Sequence, residues 1–115
     1  MITHWGIDVK EIRRLLMGAC SHASHLWPDI DARVASEVAP IVGANENHPL
    51  DITSFAIYIS KPRTTALRHL KSWESLGYVT IERKNVRTIV MFTEKMKCKS
   101  RKYLQYFDDR IEHIN

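Results

Sequence analysis

Residues 60–79 read SKPRTTALRHLKSWESLGYV and carry the clearest local signals in this 115-residue chain. Pro62 suits the first position of a helix, because the N–H that it lacks would be unpaired there. Gly77 suits the position just after a helix, where the backbone turns left-handed. Between them, apolar residues recur at three- and four-residue spacing. The pattern predicts a helix from Pro62 to the residue before Gly77, preceded by a tight turn at residues 60–61.

A shorter helix is predicted in front of this turn. Residues 43–49 read GANENHP, which is a loop composition. Asp51 belongs to the residue types that cap helix N-termini, so the helix is expected to begin after it and to run through Ile59. The apolar residues expected on its buried side are Phe55, Ile57, Tyr58 and Ile59.

A β-hairpin is predicted after Gly77. Residues 78–83 and 88–93 are rich in β-branched and aromatic residues, which favour strands. The polar residues 84–87 between them predict the hairpin tip. The order helix, turn, helix, hairpin over residues 50–93 is that of a winged helix-turn-helix.

Two long segments flank this region. Residues 7–28 and 94–114 have apolar side chains at helical spacing and are predicted as terminal helices, with a further helix over 29–42. The expected fold class is mainly α with a small β-hairpin. The length of the chain favours a single domain over residues 1–115.

The charge is distributed unevenly along the chain. The net charge is +4, but residues 61–102 hold twelve basic and three acidic residues, a net of +9, while the remainder is at −5. Such a segment suits a polyanionic partner. No apolar run approaches the ~20 residues that cross a bilayer, and no signal peptide is evident. Two cysteines make no disulfide framework, so we expect a cytoplasmic protein without membrane contact.

The predicted helix after Pro62 begins with polar and basic residues on its exposed side. Arginine pairs with both acceptors of guanine, and threonine contacts phosphate or a thymine methyl group. Basic hairpin tips contact the DNA backbone or the minor groove, although charged residues also protect edge strands from aggregation. The residues expected to contact double-stranded DNA are Lys61, Arg63, Thr64, Thr65, Arg68, His69, Lys71, Arg83, Lys84 and Arg87.

Several motifs in this region resemble winged helix-turn-helix regulators of the MarR type. They are residues 59–70, the sequence LGYV at 76–79 and the sequence FTEK at 92–95. The resemblance covers the whole chain by layout and residues 50–93 by motif. It implies a DNA-binding transcription regulator that works as a homodimer, and it leaves room for an unidentified small-molecule effector.

The resemblance gives the terminal helices a role, since dimers of this family are joined through them. Two recognition helices would then meet half-sites ~34 Å apart. The alternative is that these helices pack only within one subunit. The residues expected at the dimer interface are Ile12, Leu15, Leu16, Ala19, Phe107, Ile111 and Ile114.

Other functions are less well supported by the sequence. Cys20, His22 and His25 lie close together, but Cys20 and His22 point apart on a helix and no second pair of ligands is evident, so no metal or cofactor is expected. No catalytic arrangement stands out, so an enzyme is not expected. Two alternatives stay open: a winged-helix protein–protein interaction module, and a plasmid or phage replication-associated DNA-binding protein.

Overall fold

The computed structural model describes residues 9–44 and 49–114, which form five helices and three strands. The elements in chain order are α1 (Val9–Leu26), α2 (Ala32–Ala44), β1 (Leu50–Asp51), α3 (Ile52–Tyr58), α4 (Arg63–Ser75), β2 (Val79–Lys84), β3 (Arg87–Phe92) and α5 (Glu94–Ile114). The predicted fold class, mainly α with a small hairpin, is therefore confirmed. Residues 7–8 of the predicted first helix lie outside the described residues.

Local chemistry sets the end of the first helix and the start of the second. The first helix ends at Leu26, inside the predicted segment 7–28, because a residue before proline, here Trp27, is disfavoured in the α conformation. The second helix begins at Ala32 and not at 29. Its N-terminus is capped by Asp31, whose Oδ1 accepts hydrogen bonds from the backbone N–H groups of Arg33 (3.1 Å) and Val34 (3.2 Å).

The hairpin belongs to a three-stranded antiparallel sheet in the order β1-β3-β2. The first strand was not predicted, because two residues are too short to show a period. Leu50 lies opposite Val90, so β1 covers one edge of β3. The other edge of β3 is covered by β2, with Val79 opposite Phe92. This pairing leaves β2 at the edge of the sheet.

The buried side of α3 differs from the prediction. Ile57 is 73% exposed and Tyr58 46% exposed, whereas Phe55 and Ile59 are buried as expected. Successive helical residues are rotated by about 100°, so positions 52, 55, 56 and 59 share one face and position 57 lies nearly opposite. Periodicity, rather than apolar character, selects the buried residues of this helix.

The core joins the two parts of the chain. The helices α1, α2 and α5 pack on one another, and α3, α4 and the sheet form the second part. The rings of Trp27 and Tyr103 lie 5.7 Å apart in the first part, and those of Phe55 and Trp73 meet edge to face at 5.8 Å in the second. Tyr78 is fully buried. Within residues 9–44 and 49–114, no helix has both the length and the apolar character needed to cross a membrane.

Candidate nucleic-acid interface

The turn between α3 and α4 is a Schellman motif. The N–H of Lys61 donates to the carbonyl of Ala56 and the N–H of Ser60 to that of Ile57, both at 3.1 Å. Ser60 occupies the left-handed position with φ 55°, where glycine is usual. The turn redirects the chain and places Lys61 on the surface directly before α4.

Pro62 lies one position earlier than predicted. It is the N-cap of α4, with φ −58° and ψ 150°, and its carbonyl accepts the first helical bond from the N–H of Ala66 at 3.0 Å. A proline has no side-chain oxygen, so no side chain caps the first N–H groups of α4. These donors point to the outside and suit an anion.

The outer face of α4 is polar and basic. Ala66, Leu70 and Trp73 are buried, and the positions rotated about half a turn from them form an exposed ridge. Thr64, Arg68 and Lys71 lie on this ridge, and Arg63 is exposed as well. Ser72 and Ser75 are exposed on the same ridge and were not predicted. Both continue the three- and four-residue spacing of Thr64 and Arg68, so their exposure could have been predicted from the sequence.

Two predicted residues lie at the margin of this ridge. Thr65 and His69 are half-buried on the flank that faces the start of α2. Partial burial lowers the pKa of His69, the charges of Arg68 and Lys61 lower it further, and Asp31 acts in the opposite direction. His69 is therefore a neutral imidazole near pH 7, which can donate or accept a hydrogen bond but adds no positive charge.

The wing projects beyond the core. Its tip is a two-residue turn at Asn85 and Val86, shorter than the four residues predicted, because Lys84 and Arg87 already pair across the strands. Asn85 adopts φ 57°, which asparagine tolerates better than most residues. Val86 is 89% exposed at the tip. Arg83 lies opposite Thr88, so the cationic residues Arg83, Lys84 and Arg87 cluster at this end of the sheet.

The cations of α4 and the wing form no ion pair with any residue that the structure describes. Among the residues that the structure describes, none of the seven predicted basic side chains forms an ion pair or a side-chain hydrogen bond. Arg87 is close enough to Asp51 for its charge to lower the pKa of that carboxyl group, after the larger effect of the hydrogen bond from the Ser54 N–H. An uncompensated basic surface of this kind attracts a polyanion.

The basic run at the start of α5 is partly engaged inside the protein. Lys95 Nζ donates to the carbonyl of Leu76 at 2.8 Å, and Lys99 Nζ donates to the Tyr78 hydroxyl at 2.9 Å. Arg101 pairs with Glu94 at 2.6 Å. These three side chains serve internal contacts.

The residues predicted for the dimer interface differ in their surroundings. Leu16 is 53% exposed, while Ile12, Leu15 and Phe107 are half-buried. Ala19 is buried in its own subunit, because α1 and α5 pack together there, and it presents no surface to a partner. The side chains of Ile111 and Ile114 lie outside the described part of the structure. Met17, beside Leu16, is exposed and was not predicted.

No metal site is formed by the described residues. No group of three His, Cys, Asp or Glu side chains in residues 9–44 and 49–114 is placed to hold an ion. Cys20 and Cys98 are both free thiols. An open cavity of about 320 Å³ lies between α1 and α5. Its lining residues are His22, Lys102, Gln105, Tyr106, Asp109 and Arg110.

Comparison with solved structures finds transcription regulators of low sequence identity. MepR, a transcription regulator of the Staphylococcus aureus multidrug efflux pump MepA, is 13% identical, with a TM-score of 0.67 over 92% of this chain and 81% of MepR. A MarR transcriptional regulator from Methanosarcina mazei is 17% identical, with a TM-score of 0.63 over 90% of this chain and 70% of that one. NadR, solved in complex with 4-hydroxyphenylacetate, is 16% identical, with a TM-score of 0.68 over 92% of this chain and 74% of NadR.

No protein-family model and no curated protein matches the sequence. At the identities above, the likeness concerns the fold. It covers 92% of this chain. The fold of this chain is that of the MarR-type winged helix-turn-helix regulators.

Proposed function

We propose that the chain is a cytoplasmic, homodimeric, sequence-specific DNA-binding transcription regulator, with α4 in the major groove and the wing on the backbone or in the minor groove. The observation that carries the proposal is the basic surface of α4 and the wing. Its side chains are exposed and have no internal partner among the described residues. The likeness to transcription regulators supports the same function.

The roles of the residues follow from their positions. Arg68 lies near the middle of the exposed ridge of α4, where an arginine can pair bidentately with guanine. Thr64, one turn earlier, and Arg63 and Thr65 beside it, are assigned to nearby bases and to phosphate. His69 is assigned to a hydrogen bond at the edge of the groove. Lys61, Lys71, Arg83, Lys84 and Arg87 are assigned to phosphates or to the minor groove.

The wing contains a local conflict that a phosphate would relieve. Lys84 and Arg87 lie directly opposite each other on β2 and β3, and both are exposed. Like charges in such a cross-strand pair cost about 0.2–1 kcal/mol. The pair lowers the stability of the free protein and favours binding of an anion. It therefore supports a function of the wing in DNA contact.

The homodimer is supported by the shape and surface of the helical part. The radius of gyration is 15.6 Å, against about 13 Å for a compact chain of this length. Leu16 and Met17 expose apolar surface on α1. We assign the interface to Ile12, Leu15 and Leu16 of one subunit and Phe107, Ile111 and Ile114 of the other.

A small-molecule effector is the second proposed partner. NadR was solved in complex with 4-hydroxyphenylacetate. In this chain the open cavity between α1 and α5 combines an aromatic wall with cations: the rings of His22 and Tyr106 stack at 4.9 Å, and the Arg110 guanidinium lies 4.9 Å from the Tyr106 ring centre. An organic anion would suit these groups.

The test begins with selection of bound duplexes from a random DNA pool. The selected duplex is then titrated with wild-type protein, Arg68→Ala and Arg33→Ala. Arg33 is a matched control, because it is an exposed arginine on α2 that is not among the residues assigned to DNA. We expect Arg68→Ala to lose about 5- to 100-fold in affinity, as for loss of a bidentate base contact. Arg33→Ala should stay within about twofold, as expected for a residue without DNA contact.

Salt dependence and symmetry supply two further measurements. Affinity of the wild type should fall steeply with salt, and Arg87→Ala should reduce the slope of log K against log salt by about 1. A palindromic selected site supports the homodimer. Wild-type protein that binds no duplex in a salt-dependent way would refute DNA binding and favour the protein–protein interaction module. Equal affinities of Arg68→Ala and Arg33→Ala would refute the assigned position of α4.

A further inference from the structure

The hydroxyl group of Tyr78 joins three separate segments of the chain. Tyr78 is the third residue after α4, and its side chain is fully buried. The hydroxyl donates to Asp29 Oδ1 at 2.7 Å and accepts a hydrogen bond from Lys99 Nζ at 2.9 Å. Asp29 lies in the connection between α1 and α2, and Lys99 lies in α5. One polar atom thus ties the end of α4 to both sides of the helical part.

The same end of α4 is held by two residues at the start of α5. Thr93 Oγ1 donates to the carbonyls of Gly77 (2.6 Å) and Tyr78 (3.0 Å). Lys95 Nζ donates to the Leu76 carbonyl at 2.8 Å and lies 4.3 Å from the centre of the Tyr78 ring. A cation and a hydroxyl therefore satisfy carbonyls at the helix C-terminus that have no helical partner.

The charges in this cluster favour the connected arrangement. Burial alone would raise the pKa of Asp29, but the hydrogen bond from Tyr78 and the charges of Lys99 and Lys95 outweigh it and lower the pKa. Burial raises the pKa of Tyr78, as does its bond to Asp29, so the hydroxyl keeps its proton at neutral pH. Asp29 stays an acceptor and Tyr78 a donor under ordinary conditions.

We infer that Asp29, Tyr78 and Lys99 form a joint that sets the angle between the recognition helix α4 and the helical part of each subunit. We call these three residues the α4 joint. The inference deepens the proposed function and rests on it. In a dimer built through the terminal helices, this angle decides whether both α4 helices reach their half-sites at once. Hydrogen bonds are directional, so they restrict the angle more than apolar contacts of the same area would.

The consequence for DNA binding is a dependence on half-site spacing. Simultaneous engagement of two half-sites adds avidity only when the geometry allows it. A loose joint would let α4 adapt to several spacings. Binding would then cost more conformational entropy, because the position of α4 would become fixed only on the DNA. Asp29, Tyr78 and Lys99 are positioning residues in this scheme, because none of them touches DNA in the assigned interface.

The test uses Tyr78→Phe, which keeps the buried ring and removes the hydroxyl. Tyr103→Phe is the matched control, because Tyr103 is also buried but its hydroxyl lies beside Ser36, within the helical part. Lys99→Met is a second variant of the joint that keeps the side-chain stem. Circular dichroism and thermal denaturation establish that each variant is folded.

The first readout needs no DNA. Spin labels on Cys20 and on Ser72→Cys, in a Cys98→Ser background and with labelled protein diluted into an excess of unlabelled protein, report the distance between α1 and α4 within one subunit. We expect a narrow distance distribution in the wild type and in Tyr103→Phe, and a clearly broader one in Tyr78→Phe and Lys99→Met. Equal widths in the wild type and both variants of the joint would overturn the inference.

The second readout compares the selected duplex with one that carries an extra base pair between the half-sites. Tyr78→Phe should lose about tenfold in affinity for the selected duplex and should discriminate less between the two spacings, while binding to a single half-site stays within about twofold. Unchanged discrimination, or equal losses on the half-site and the full site, would overturn the joint even if the protein binds DNA. Wild-type protein without duplex binding would refute the proposed function, and the distance measurement would still decide whether the joint exists.

Discussion

Replacing Gly77 with alanine should destabilise the protein through the backbone alone. Gly77 has φ 81°, and a Cβ atom built on it meets no other atom within 4 Å. A clash is therefore absent, and the cost is that of the left-handed conformation, about 1–2 kcal/mol for a residue with a side chain. Alanine also reduces the freedom of the unfolded chain, which returns about 0.4–1 kcal/mol. The expected net loss in free energy of unfolding is about 1 kcal/mol.

Ser60 provides the reciprocal change at the end of α3. Gly77 and Ser60 occupy the same position of a Schellman motif, since at Gly77 the N–H of Tyr78 donates to the Trp73 carbonyl (2.9 Å) and that of Gly77 to the Glu74 carbonyl (3.1 Å). Ser60 has φ 55° but carries a side chain. Ser60→Gly should therefore stabilise the protein by about 0.5 kcal/mol. This is the strain of the left-handed conformation that glycine removes, minus the extra conformational entropy that glycine gives the unfolded chain. Ser72→Gly is the control, because Ser72 lies inside α4 with ordinary helical geometry, and glycine there should cost about 0.5–1 kcal/mol.

Thermal and urea denaturation measure all three variants. For a chain of this length, 1 kcal/mol corresponds to about 4 °C in Tm. Gly77→Ala should lower Tm by about 4 °C, and Ser60→Gly should raise it by about 2 °C. A neutral or stabilising Gly77→Ala would refute the reasoning, as would a Ser60→Gly variant that behaves like Ser72→Gly.

Two further predictions concern the wing and the cap of α3. Lys84→Thr should raise the free energy of unfolding by about 0.2–1 kcal/mol, because it removes the repulsion with Arg87. It should also lower the slope of log K for DNA against log salt by about 1. Loss of stability together with unchanged DNA affinity would contradict both expectations. Asp51→Ala should cost about 1 kcal/mol at pH 7, while Asp51→Asn, which can still cap the helix, should cost less. The hydrogen bond from the Ser54 N–H and the charge of Arg87 hold the pKa of Asp51 below its ordinary 3.8, so the charged form contributes fully above that pH and its contribution is lost as pH falls through the lowered pKa. A difference between wild type and Asp51→Ala that does not shrink on acidification would show that the carboxylate charge is unimportant.

Prediction and structure agree best where a feature depends on residues that are close together in the sequence. The stop of α4 at Gly77 and the cap of α3 at Asp51 were predicted, because both depend on neighbouring residues in the chain. The exposure of Ile57 and Tyr58 was not predicted, although helical rotation contained the information. The burial of Ala19 was not predicted either, because it depends on α5, which approaches α1 from a distant part of the sequence.

Within the candidate site the same division holds. The basic and threonine residues of α4 are polar in the sequence, and an amphipathic helix must turn its polar side outward. Their exposure was therefore predictable, except on the flank of α4 where Thr65 and His69 are half-buried. The pairing of β1 with β3 and the two-residue tip of the wing were not predicted. Both depend on how separate segments pair, and sequence periodicity does not reveal this.

Local chemistry along the chain was sufficient to establish the helix-turn-helix, the wing and the uneven distribution of charge, because caps, turns and amphipathic periods act over a few residues. Packing between distant segments established how α4 is held. Tyr78, Asp29 and Lys99 are up to 70 positions apart, and their hydrogen bonds exist only because the core brings the end of α4, the α1–α2 connection and α5 to one place. The physical reason is that a hydrogen bond needs its donor and acceptor within about 3 Å, and only the completed fold supplies that proximity for residues so far apart in the chain.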